Sequence, residues 1–460
     1  MNWSLKEIYK ALGIKKEVNK NFFFEKFSID SRNINGKCLF IPLVGKNFDG
    51  HHFIDEVAGK GVKFSLVERK KKDLVKDKTI NLIEVSNTFT SLIKLAKYAK
   101  NKNTKLMVVC ITGSSGKTTV KEWLSKILEK SFVVYSNPGN FNNHIGMPLT
   151  LVNIPDKTQI CILELGMSSY GEIKKLAEIA KPNISIITNI GNAHIGNFKD
   201  SIEIAKEKSA IFDYFTKKST AIIPGDSEYI NLIKKKAKEK TNNIFTFGEK
   251  EDCHSTFKIN KNNKILFSTL ENQIVLEKRT DFKNWEINIS IILIILKILK
   301  LDLTKFSLQL EKLKPLSGRG QIKKVKKDSK SFYLIDESYN SSPNALISSI
   351  ENLTKIKFKD NSKVLVIGDM LELGKFSKEM HKKVIPTIIN ANPKVVITVG
   401  KFSKIISDNL PKNIKTFHFK KNINVYNRLI KEIRDNDIVM IKGSNSIKLS
   451  YVSKVLCEGA

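Results

Sequence analysis

An apolar strand, a glycine-containing loop and the start of a helix follow one another directly between Val108 and Trp123. This succession constrains the fold, because in parallel α/β sheets it places backbone N–H groups and a helix N-terminus around an anion. The loop reads T-G-S-S-G-K-T-T, a shortened form of G-x-x-x-x-G-K-[ST]. A chance G-K-T is the alternative, but the flanking strand and helix favour phosphate binding. The predicted contacts are Gly113, Ser114, Ser115, Gly116, Lys117, Thr118 and Thr119.

Apolar strands alternate with helical segments through most of the chain, which is the pattern of βαβ units and parallel sheets. One series spans residues 105–313, with strands at 106–111, 160–163, 184–187 and 220–223. A second series follows a turn at 315–320, with strands at 333–335, 363–367, 395–399 and 438–441. Each series predicts a doubly wound sheet.

Residues 22–84 form a smaller strand-rich segment, followed by a helical stretch at 90–100 and a polar linker at 101–104. At about 150 residues per domain, a chain of 460 residues corresponds to about three domains. We therefore predict an α/β protein with a small α/β domain (1–100), a central parallel-sheet domain carrying the phosphate-binding loop (101–313) and a Rossmann-like C-terminal domain (314–460).

The net charge of +33 raises the question of nucleic-acid binding. Only six of the 79 basic residues are arginines, however, and the lysines are scattered along the chain. Arginine is the residue that base recognition and bidentate phosphate binding favour. We therefore expect a solvated lysine-rich surface that attracts small anions, and no nucleic-acid partner.

Membrane insertion and secretion are not indicated by the sequence. The longest strongly apolar run, residues 289–296, is well short of the roughly 20 residues that a membrane-spanning helix needs. The first residues lack the apolar core and cleavage site of a secretory signal. Five cysteines, odd in number and never spaced C-x-x-C, fit neither a disulfide framework nor a zinc site. We expect a cytoplasmic protein with reduced thiols.

Polar residues that could bind ligands follow the predicted strands. Asparagines and glycines are concentrated at 137–148, where they form either a tight loop or a substrate-binding segment. Glu164 and His194 each stand at or just after a strand end, and together with the phosphate-binding loop they predict a magnesium site. Arg319, flanked by two glycines, can approach a phosphate closely, and Asp336 ends a strand where it could accept from ribose hydroxyls.

Taken in order, these motifs resemble those of the Mur ligases over nearly the whole chain. D-S-R at 30–32, L-F-I-P at 39–42 and G-K-N-F-D-G-H at 45–51 resemble the uridine-nucleotide-binding first domain of that family. G-N-F-N-N at 139–143, D-E-S-Y-N-S-S-P at 336–343 and G-D-M-L-E-L-G at 368–374 resemble the members that add D-alanyl-D-alanine. The D-N-P-R stretch of the diaminopimelate-adding members is absent from the sequence.

The resemblance implies an ATP- and Mg²⁺-dependent ligase that joins D-alanyl-D-alanine to UDP-N-acetylmuramoyl-tripeptide through an acyl phosphate, and a monomer is expected. It implies that ATP contacts Asn288, Arg319 and Asp336. It further implies that the substrates contact Ser31, Arg32, Asn47, Asp49, Asn140, Asn142, Asn143, Tyr339 and Asn340.

The resemblance also places Lys208 at the position of a lysine that many family members carry as a carbamate, three residues before Ile211 and four before Phe212. Lys206, two residues earlier, is the alternative, and a solvated helix face is the simpler interpretation of both. By the same resemblance, the catalytic residues are Lys117, His194 and Lys208, and the magnesium-site residues are Thr118, Glu164, His194 and Lys208.

Three other functions stay open at this point. A Mur ligase that adds diaminopimelate or lysine would share most of the motifs. A folylpolyglutamate synthetase would share the phosphate-binding loop and the last domain but lack a uridine-type first domain. The remaining alternative is a basic nucleotide-binding module without enzymatic activity. For the predicted D-alanyl-D-alanine ligase, the sequence does not specify the third residue of the acceptor peptide.

Overall fold

Three main β-sheets, of four, nine and six strands, organise the computed structural model, which describes residues 2–17, 22–260, 264–278, 284–356 and 362–458. Each main sheet is built largely of parallel strands joined through helices, and a two-stranded ribbon lies near the N-terminus. The predicted α/β fold with three parts is confirmed. The exact domain boundaries at 100 and 313 stay a proposal.

The first sheet is parallel, with strand order β3-β4-β5-β6. Helix α3 begins after Asn87, whose side chain accepts from the N–H of Thr90, and it extends to Lys102. The predicted linker at 101–104 was therefore wrong at its first two residues, which complete the helix. The elements of this part are β1 (Trp3–Ser4), α1 (Leu5–Leu12), β2 (Phe23–Phe24), β3 (Lys26–Ser28), β4 (Cys38–Phe40), α2 (Ile54–Gly59), β5 (Phe64–Glu68), β6 (Asn81–Val85) and α3 (Thr88–Lys102).

The central part contains a nine-stranded sheet with several helices packed on it. Its elements are β7 (Met107–Thr112), α4 (Lys117–Leu128), β8 (Val134–Ser136), α5 (Gly146–Val152), β9 (Ile160–Glu164), α6 (Glu172–Ala180), β10 (Ile184–Ile187), α7 (Ser201–Ser209), β11 (Thr220–Pro224), α8 (Ile230–Lys238), β12 (Ile244–Phe247), β13 (Ser255–Ile259), β14 (Lys264–Thr269), β15 (Asn272–Glu277), α9 (Trp285–Ile298) and α10 (Ser307–Glu311).

The strand order in this sheet is β15-β14-β13-β12-β11-β10-β7-β9-β8. Strands β7, β9, β10 and β11 are buried along almost their whole length, as expected for parallel strands covered on both faces. Strand β7 lies between β10 and β9, so the loops that follow these three strands meet at one edge of the sheet. Strands β13 to β15 form an antiparallel extension that was not predicted from the sequence, although β14 and β15 alternate buried with more exposed residues.

The last sheet has the order β16-β17-β21-β18-β19-β20, parallel except for the β16–β17 pair. Its central strands, β18, β19 and β21, are almost entirely buried. The elements are β16 (Gln321–Lys327), β17 (Lys330–Glu337), α11 (Pro343–Lys355), β18 (Lys363–Gly368), α12 (Ser377–Lys383), α13 (Ile385–Ala391), β19 (Val395–Val399), α14 (Lys404–Asp408), β20 (Lys415–Phe419), α15 (Val425–Glu432), β21 (Ile438–Lys442) and α16 (Leu449–Cys457).

The first and central parts share one apolar core, in which Leu92 and Leu95 of α3 lie together with Leu149 and Leu151 of α5. Asn153 reinforces this junction, because its side chain accepts from the N–H of Phe27 and donates to the carbonyl of the same residue. The apolar run at 289–296 is a core segment of α9 rather than a surface feature. Across the described ranges, no helix combines the length and hydropathy required to cross a bilayer.

Candidate active site

The phosphate-binding loop lies between the end of β7 and the start of α4, as predicted. Gly113 has φ 151°, and a Cβ atom at this position would lie 1.9 Å from Thr188 Oγ1, so a side chain cannot be accommodated. Gly116, at φ 81°, turns the chain into the helix, whose first-turn N–H groups have no intrahelical partners. Residues 114–119 line a cavity of about 670 Å³, whereas the predicted contact Gly113 lies outside this lining.

Two residues that follow β10 fix the shape of this loop. Thr188 Oγ1 donates to the carbonyl of Ser115 over 2.5 Å. Asn189 Oδ1 accepts from the N–H groups of Ser114 and Ser115 at 3.0 and 2.9 Å. The backbone N–H groups of Ser114 and Ser115 are therefore already bonded, which leaves the N-terminus of α4 as the region that can hold an anion. The roles of Thr188 and Asn189 were not predicted from the sequence, in which their position at a strand end was the available signal.

Lys117 lines the cavity, and its amine donates to the carbonyl of Gly113 over 2.9 Å. Burial lowers the pKa of this amine; the positive charge of Arg319 acts in the same direction, whereas Glu164 opposes it. A phosphate bound at the helix N-terminus would offer the amine a strong counter-charge. The arrangement therefore suits an anionic ligand.

Glu164, at the end of β9, is nearly inaccessible and stands directly beside the phosphate-binding loop. Its Oε2 accepts from the hydroxyl of Thr118 over 2.6 Å, and its Oε1 accepts from Asn142 Nδ2 over 2.8 Å. Arg319 Nη2, from the last part of the chain, donates to the same Thr118 hydroxyl over 2.8 Å. Four segments of the chain thus meet at the hydroxyl–carboxylate pair of Thr118 and Glu164.

A hydroxyl and a carboxylate in contact fit a magnesium ion, which prefers oxygen ligands and keeps several of its waters. The described residues contain no group of three or more His, Cys, Asp or Glu side chains that could hold a metal by themselves. Thr118 and Glu164 therefore fit a shared site completed by water and by nucleotide phosphates, as magnesium sites at phosphate-transfer centres usually are.

His194 lines the same cavity, and it also contacts the last part of the chain. Its Nδ1 lies 2.5 Å from Glu372 Oε2 in the loop after β18. The hydrogen bond to His194 lowers the pKa of the Glu372 carboxyl. Nearby, the N–H of Gly196 donates to the carbonyl of Glu372 over 3.1 Å. This segment is thus a direct bridge between the central and the last sheets.

Lys208 is buried in helix α7 and lines the cavity, whereas Lys206 is exposed to solvent. Burial lowers the pKa of the Lys208 amine well below its usual range; the charge of Lys117 acts in the same direction, and Glu207 opposes it. The carboxylate of Glu207 accepts from the N–H groups of Gly171 and Ile173, both at 2.8 Å, which fixes α7 against the start of α6. The geometry therefore favours Lys208 over Lys206 as the residue that faces a ligand.

The asparagine loop, residues 137–143, contributes differently from one residue to the next. Asn142 contacts Glu164, and Asn140 and Asn143 line the cavity with it. Asn143 Oδ1 also accepts from the N–H groups of Ile145 and Gly146, at the start of α5. The loop is therefore both a tight turn and part of the cavity wall, so the two interpretations left open by its sequence are compatible.

Residues from loops of the last part of the chain complete the cavity lining. The guanidinium of Arg319 lies 4.0 Å from the centre of the Tyr339 ring, and Asn340 lines the cavity beside it. Asn288, on α9, also lines the cavity, and its Nδ2 has no partner among the described residues. Asp336 is not part of the cavity lining; its Oδ1 accepts instead from the N–H and hydroxyl of Ser338.

The four predicted substrate residues of the first part, Ser31, Arg32, Asn47 and Asp49, lie outside this cavity lining. Arg32 forms a hydrogen-bonded ion pair with Asp30 at 2.8 Å, which lowers the pKa of that carboxyl to about 2. Asp49 bonds to His51 Nδ1 and to Lys71 Nζ, each over 2.6 Å. All four residues lie in the loops that follow β3 and β4 of the first sheet.

Comparison with known proteins agrees with this geometry. Residues 111–292 match the family model described as the Mur ligase middle domain, and residues 318–445 match the Mur ligase glutamate ligase domain. The chain is 33% identical to the UDP-N-acetylmuramoyl-tripeptide–D-alanyl-D-alanine ligase of Rickettsia prowazekii, over 98% of this chain and 99% of that protein. It is 31% identical to the ligase of the same name from Bacillus subtilis, over 93% and 92% of the two chains.

Solved structures give the same result. The fold is similar to a crystal structure of MurF from Acinetobacter baumannii, with a TM-score of 0.86, 24% identity and coverage of 100% and 99% of the two chains. It is also similar to the MurF ligase of Thermotoga maritima in complex with ADP, with a TM-score of 0.80, 27% identity and coverage of 94% and 97%. Because family models, full-length identity and fold agree, this chain belongs to the Mur ligase family, in the group of the UDP-N-acetylmuramoyl-tripeptide–D-alanyl-D-alanine ligases.

Proposed function

We propose that this chain joins D-alanyl-D-alanine to UDP-N-acetylmuramoyl-tripeptide at the expense of ATP, which yields the pentapeptide precursor of peptidoglycan. The observation that carries the proposal is the convergence of the phosphate-binding loop, Glu164 and Arg319 in one cavity, in a chain that matches D-alanyl-D-alanine ligases along its whole length. The Thermotoga maritima relative binds ADP, which supports ATP as the nucleotide here.

In the first step, the terminal carboxylate of the peptide attacks the γ-phosphorus of ATP, and ADP leaves. The product is an acyl phosphate. Such phosphoryl transfers depend mainly on positioning and on charge stabilisation. The N-terminus of α4, Lys117 and Arg319 supply positive potential on the nucleotide side of the cavity. When bound at Thr118 and Glu164, magnesium would neutralise charge on the phosphates.

In the second step, the neutral amine of D-alanyl-D-alanine attacks the acyl carbon. The tetrahedral intermediate then expels phosphate, which carries away the proton that the nitrogen loses as the amide bond forms. Water would compete for the same carbon, so the site must be enclosed during the reaction. The contacts of Arg319 with Thr118 and of Glu372 with His194 hold the last part of the chain against the cavity. Tyr339, Asn340 and Lys442 line the side from which the amine substrate would enter.

The first sheet is proposed to bind the uridine nucleotide through Ser31, Arg32, Asn47 and Asp49. Their position outside the main cavity suits a large substrate that is held at its nucleotide end and reacts at its peptide end. The same domain distinguishes the proposal from a folylpolyglutamate synthetase, which would not need it. Replacing Arg32 with Ala should weaken binding of the UDP-peptide and leave ADP binding unchanged.

The direct test is a ligation assay with ATP, D-alanyl-D-alanine and UDP-N-acetylmuramoyl-tripeptide, with the pentapeptide product followed by mass spectrometry. Acceptors that carry either diaminopimelate or lysine at the third position identify the preferred peptide. Parallel reactions with free diaminopimelate, free lysine or glutamate as the amine test the other ligase activities. Product with a single amino acid but none with the dipeptide would contradict the proposal, as would nucleotide binding without any ligation.

We further propose a cytoplasmic monomer. ATP is supplied in the cytoplasm, and all five cysteines are unpaired, as expected in a reducing compartment. Light scattering of the purified protein tests the oligomeric state, and fractionation of the cells that make it tests the location.

A further inference from the structure

Lys121 is a lysine that is completely buried. It lies on α4, one helical turn after Lys117, and its side chain has 0% exposure. Lys126, on the same helix, is exposed to solvent, as most lysines are. Because burying an ammonium group is costly unless it is paired, a lysine at this position requires specific partners.

The partners of Lys121 are main-chain oxygens of the asparagine loop. Its amine donates to the carbonyl of Asn137 over 2.5 Å and reaches the carbonyl of Gly139 at 3.4 Å. Glu122 Oε1 provides the counter-charge at 3.0 Å, although that side chain is itself 41% exposed. The amine is thus held against the start of the loop, and apolar packing alone would not supply these bonds.

Asn137 connects Lys121 to Glu164, which lines the cavity. It is fully buried, and its amide bonds to both main-chain groups of Glu164: Oδ1 accepts from the N–H over 2.8 Å, and Nδ2 donates to the carbonyl over 3.2 Å. The Glu164 carboxylate in turn accepts from Thr118, one residue after Lys117 at the start of α4. A closed ring of contacts therefore begins and ends on α4, and it passes through Lys121, Asn137, Glu164 and Thr118.

We propose that Lys121 is a positioning residue for ligation. It does not line the cavity, but it fixes the asparagine loop and Glu164 relative to the phosphate-binding loop. In this way it sets where the peptide carboxylate stands relative to the γ-phosphate. The inference rests on the proposed function, because that function supplies the two reacting groups whose alignment is at issue.

The experiment compares Lys121→Met with the unmodified protein and with Lys126→Met. Methionine fills similar space but cannot donate to the two carbonyls, and Lys126 offers the same change on the exposed face of the same helix. We expect Lys121→Met to lower kcat/KM for the UDP-peptide about a hundredfold and to change the affinity for ADP by less than about threefold. Hydrogen exchange should accelerate at residues 137–143 and remain unchanged at the phosphate-binding loop. Lys126→Met should behave as the unmodified protein.

Unchanged kcat/KM in folded Lys121→Met would overturn the inference. A parallel loss of ADP affinity and thermal stability would also overturn it, because Lys121 would then only support the fold. If Lys121→Met does not fold, Lys121→Gln is measured in the same way; its shorter side chain keeps a polar group but stops short of the Asn137 carbonyl. If the unmodified protein makes no pentapeptide, the proposed function fails, and that failure is separate from any effect of the variants.

Discussion

At the scale of single residues, the environment rather than the residue type separates the lysines of this chain. Lys117 and Lys208 line the cavity, Lys121 is bonded behind it, and Lys126 and Lys206 are solvated. The number of lysines in the sequence does not show which of them are buried and which are solvated. Burial and the available partners therefore decide which lysines can act on a substrate.

Replacing Lys117 with Ala should lower kcat by about two to three orders of magnitude, the usual effect of removing one group that stabilises a developing charge. The thermal midpoint should stay close to that of the unmodified protein, since the amine makes a single bond to the Gly113 carbonyl. Steady-state assays and thermal denaturation check both statements. Lys126→Ala is the control, and turnover near normal in folded Lys117→Ala would contradict the role of this lysine.

Lys208 is predicted to act as a carbamate, and its lowered pKa supports this, because only the neutral amine reacts with carbon dioxide. Lys208→Ala should reduce activity by about a hundredfold or more, as expected for a lost electrostatic group. Short carboxylic acids added to the assay should restore part of the activity by supplying anionic oxygens.

The matched control is Lys206→Ala, which should be nearly silent because this side chain is solvated. Mass spectrometry of the native protein would detect the added carbon dioxide directly. Full activity of Lys208→Ala, or acid rescue found only for Lys206→Ala, would show that the modified lysine is misplaced.

At the scale of elements, the loops that follow the strands are held by buried polar groups. Asp369, after β18, accepts from three consecutive N–H groups of residues 401–403, at 2.7 to 3.0 Å. His381, on α12, bonds to the same region: its Nε2 accepts from the N–H of Met370 and its Nδ1 donates to the carbonyl of Ser377. Glu372, which meets His194, belongs to the loop that these bonds shape.

Stability of the last domain should fall at acidic pH partly through His381. Burial lowers the pKa of this histidine, against smaller opposing effects of Ser377 and Asp369. The unfolded chain therefore takes up a proton below about pH 6.5 more readily than the folded one, and stability is lost as the pH falls. Between pH 7.5 and 5.5, the urea midpoint should drop further for the unmodified protein than for His381→Gln. Equal drops would contradict this assignment.

At the scale of the whole molecule, the active cavity exists only while the last sheet lies against the central one. Gly196 makes this contact possible, because a Cβ atom there would lie 2.4 Å from the backbone nitrogen of Gly374. Both segments are short 3₁₀ turns, Ile195–Asn197 and Gly374–Phe376. The two domains therefore touch through backbone atoms, which cannot move aside as the end of a flexible side chain can.

Gly196→Ala should consequently separate these turns, and a displacement of about an ångström at the reacting groups can cost about a hundredfold in rate. We expect lower kcat, an increased radius of gyration in solution scattering and an unchanged thermal midpoint. Gly59→Ala is the matched control, since a Cβ atom at Gly59 would have no neighbouring atom within 4 Å and this residue lacks a positive φ. Normal turnover in Gly196→Ala would show that the contact is dispensable.

The sequence alone was sufficient for the α/β class and for the phosphate-binding loop, because strand periodicity and the G-K-T-T segment are local signals. The resemblance to the Mur ligases was sufficient to predict the ligase activity, because the motifs of that family occur in order along nearly the whole chain. The antiparallel extension β13 to β15 was missed, although β14 and β15 carry the alternation of half-buried strands.

Tertiary structure decided which residues meet. Thr188 and Asn189 shape the phosphate-binding loop from 70 or more residues away in sequence, and Arg319 reaches Thr118 from 201 residues away. It also separated Lys121 and Lys208, which are buried, from lysines that are solvated. The physical reason is that burial and long-range hydrogen bonds arise only when distant segments pack together. Strand periodicity and the residue types of a phosphate-binding loop, in contrast, are properties of consecutive residues and can be recognised in the sequence.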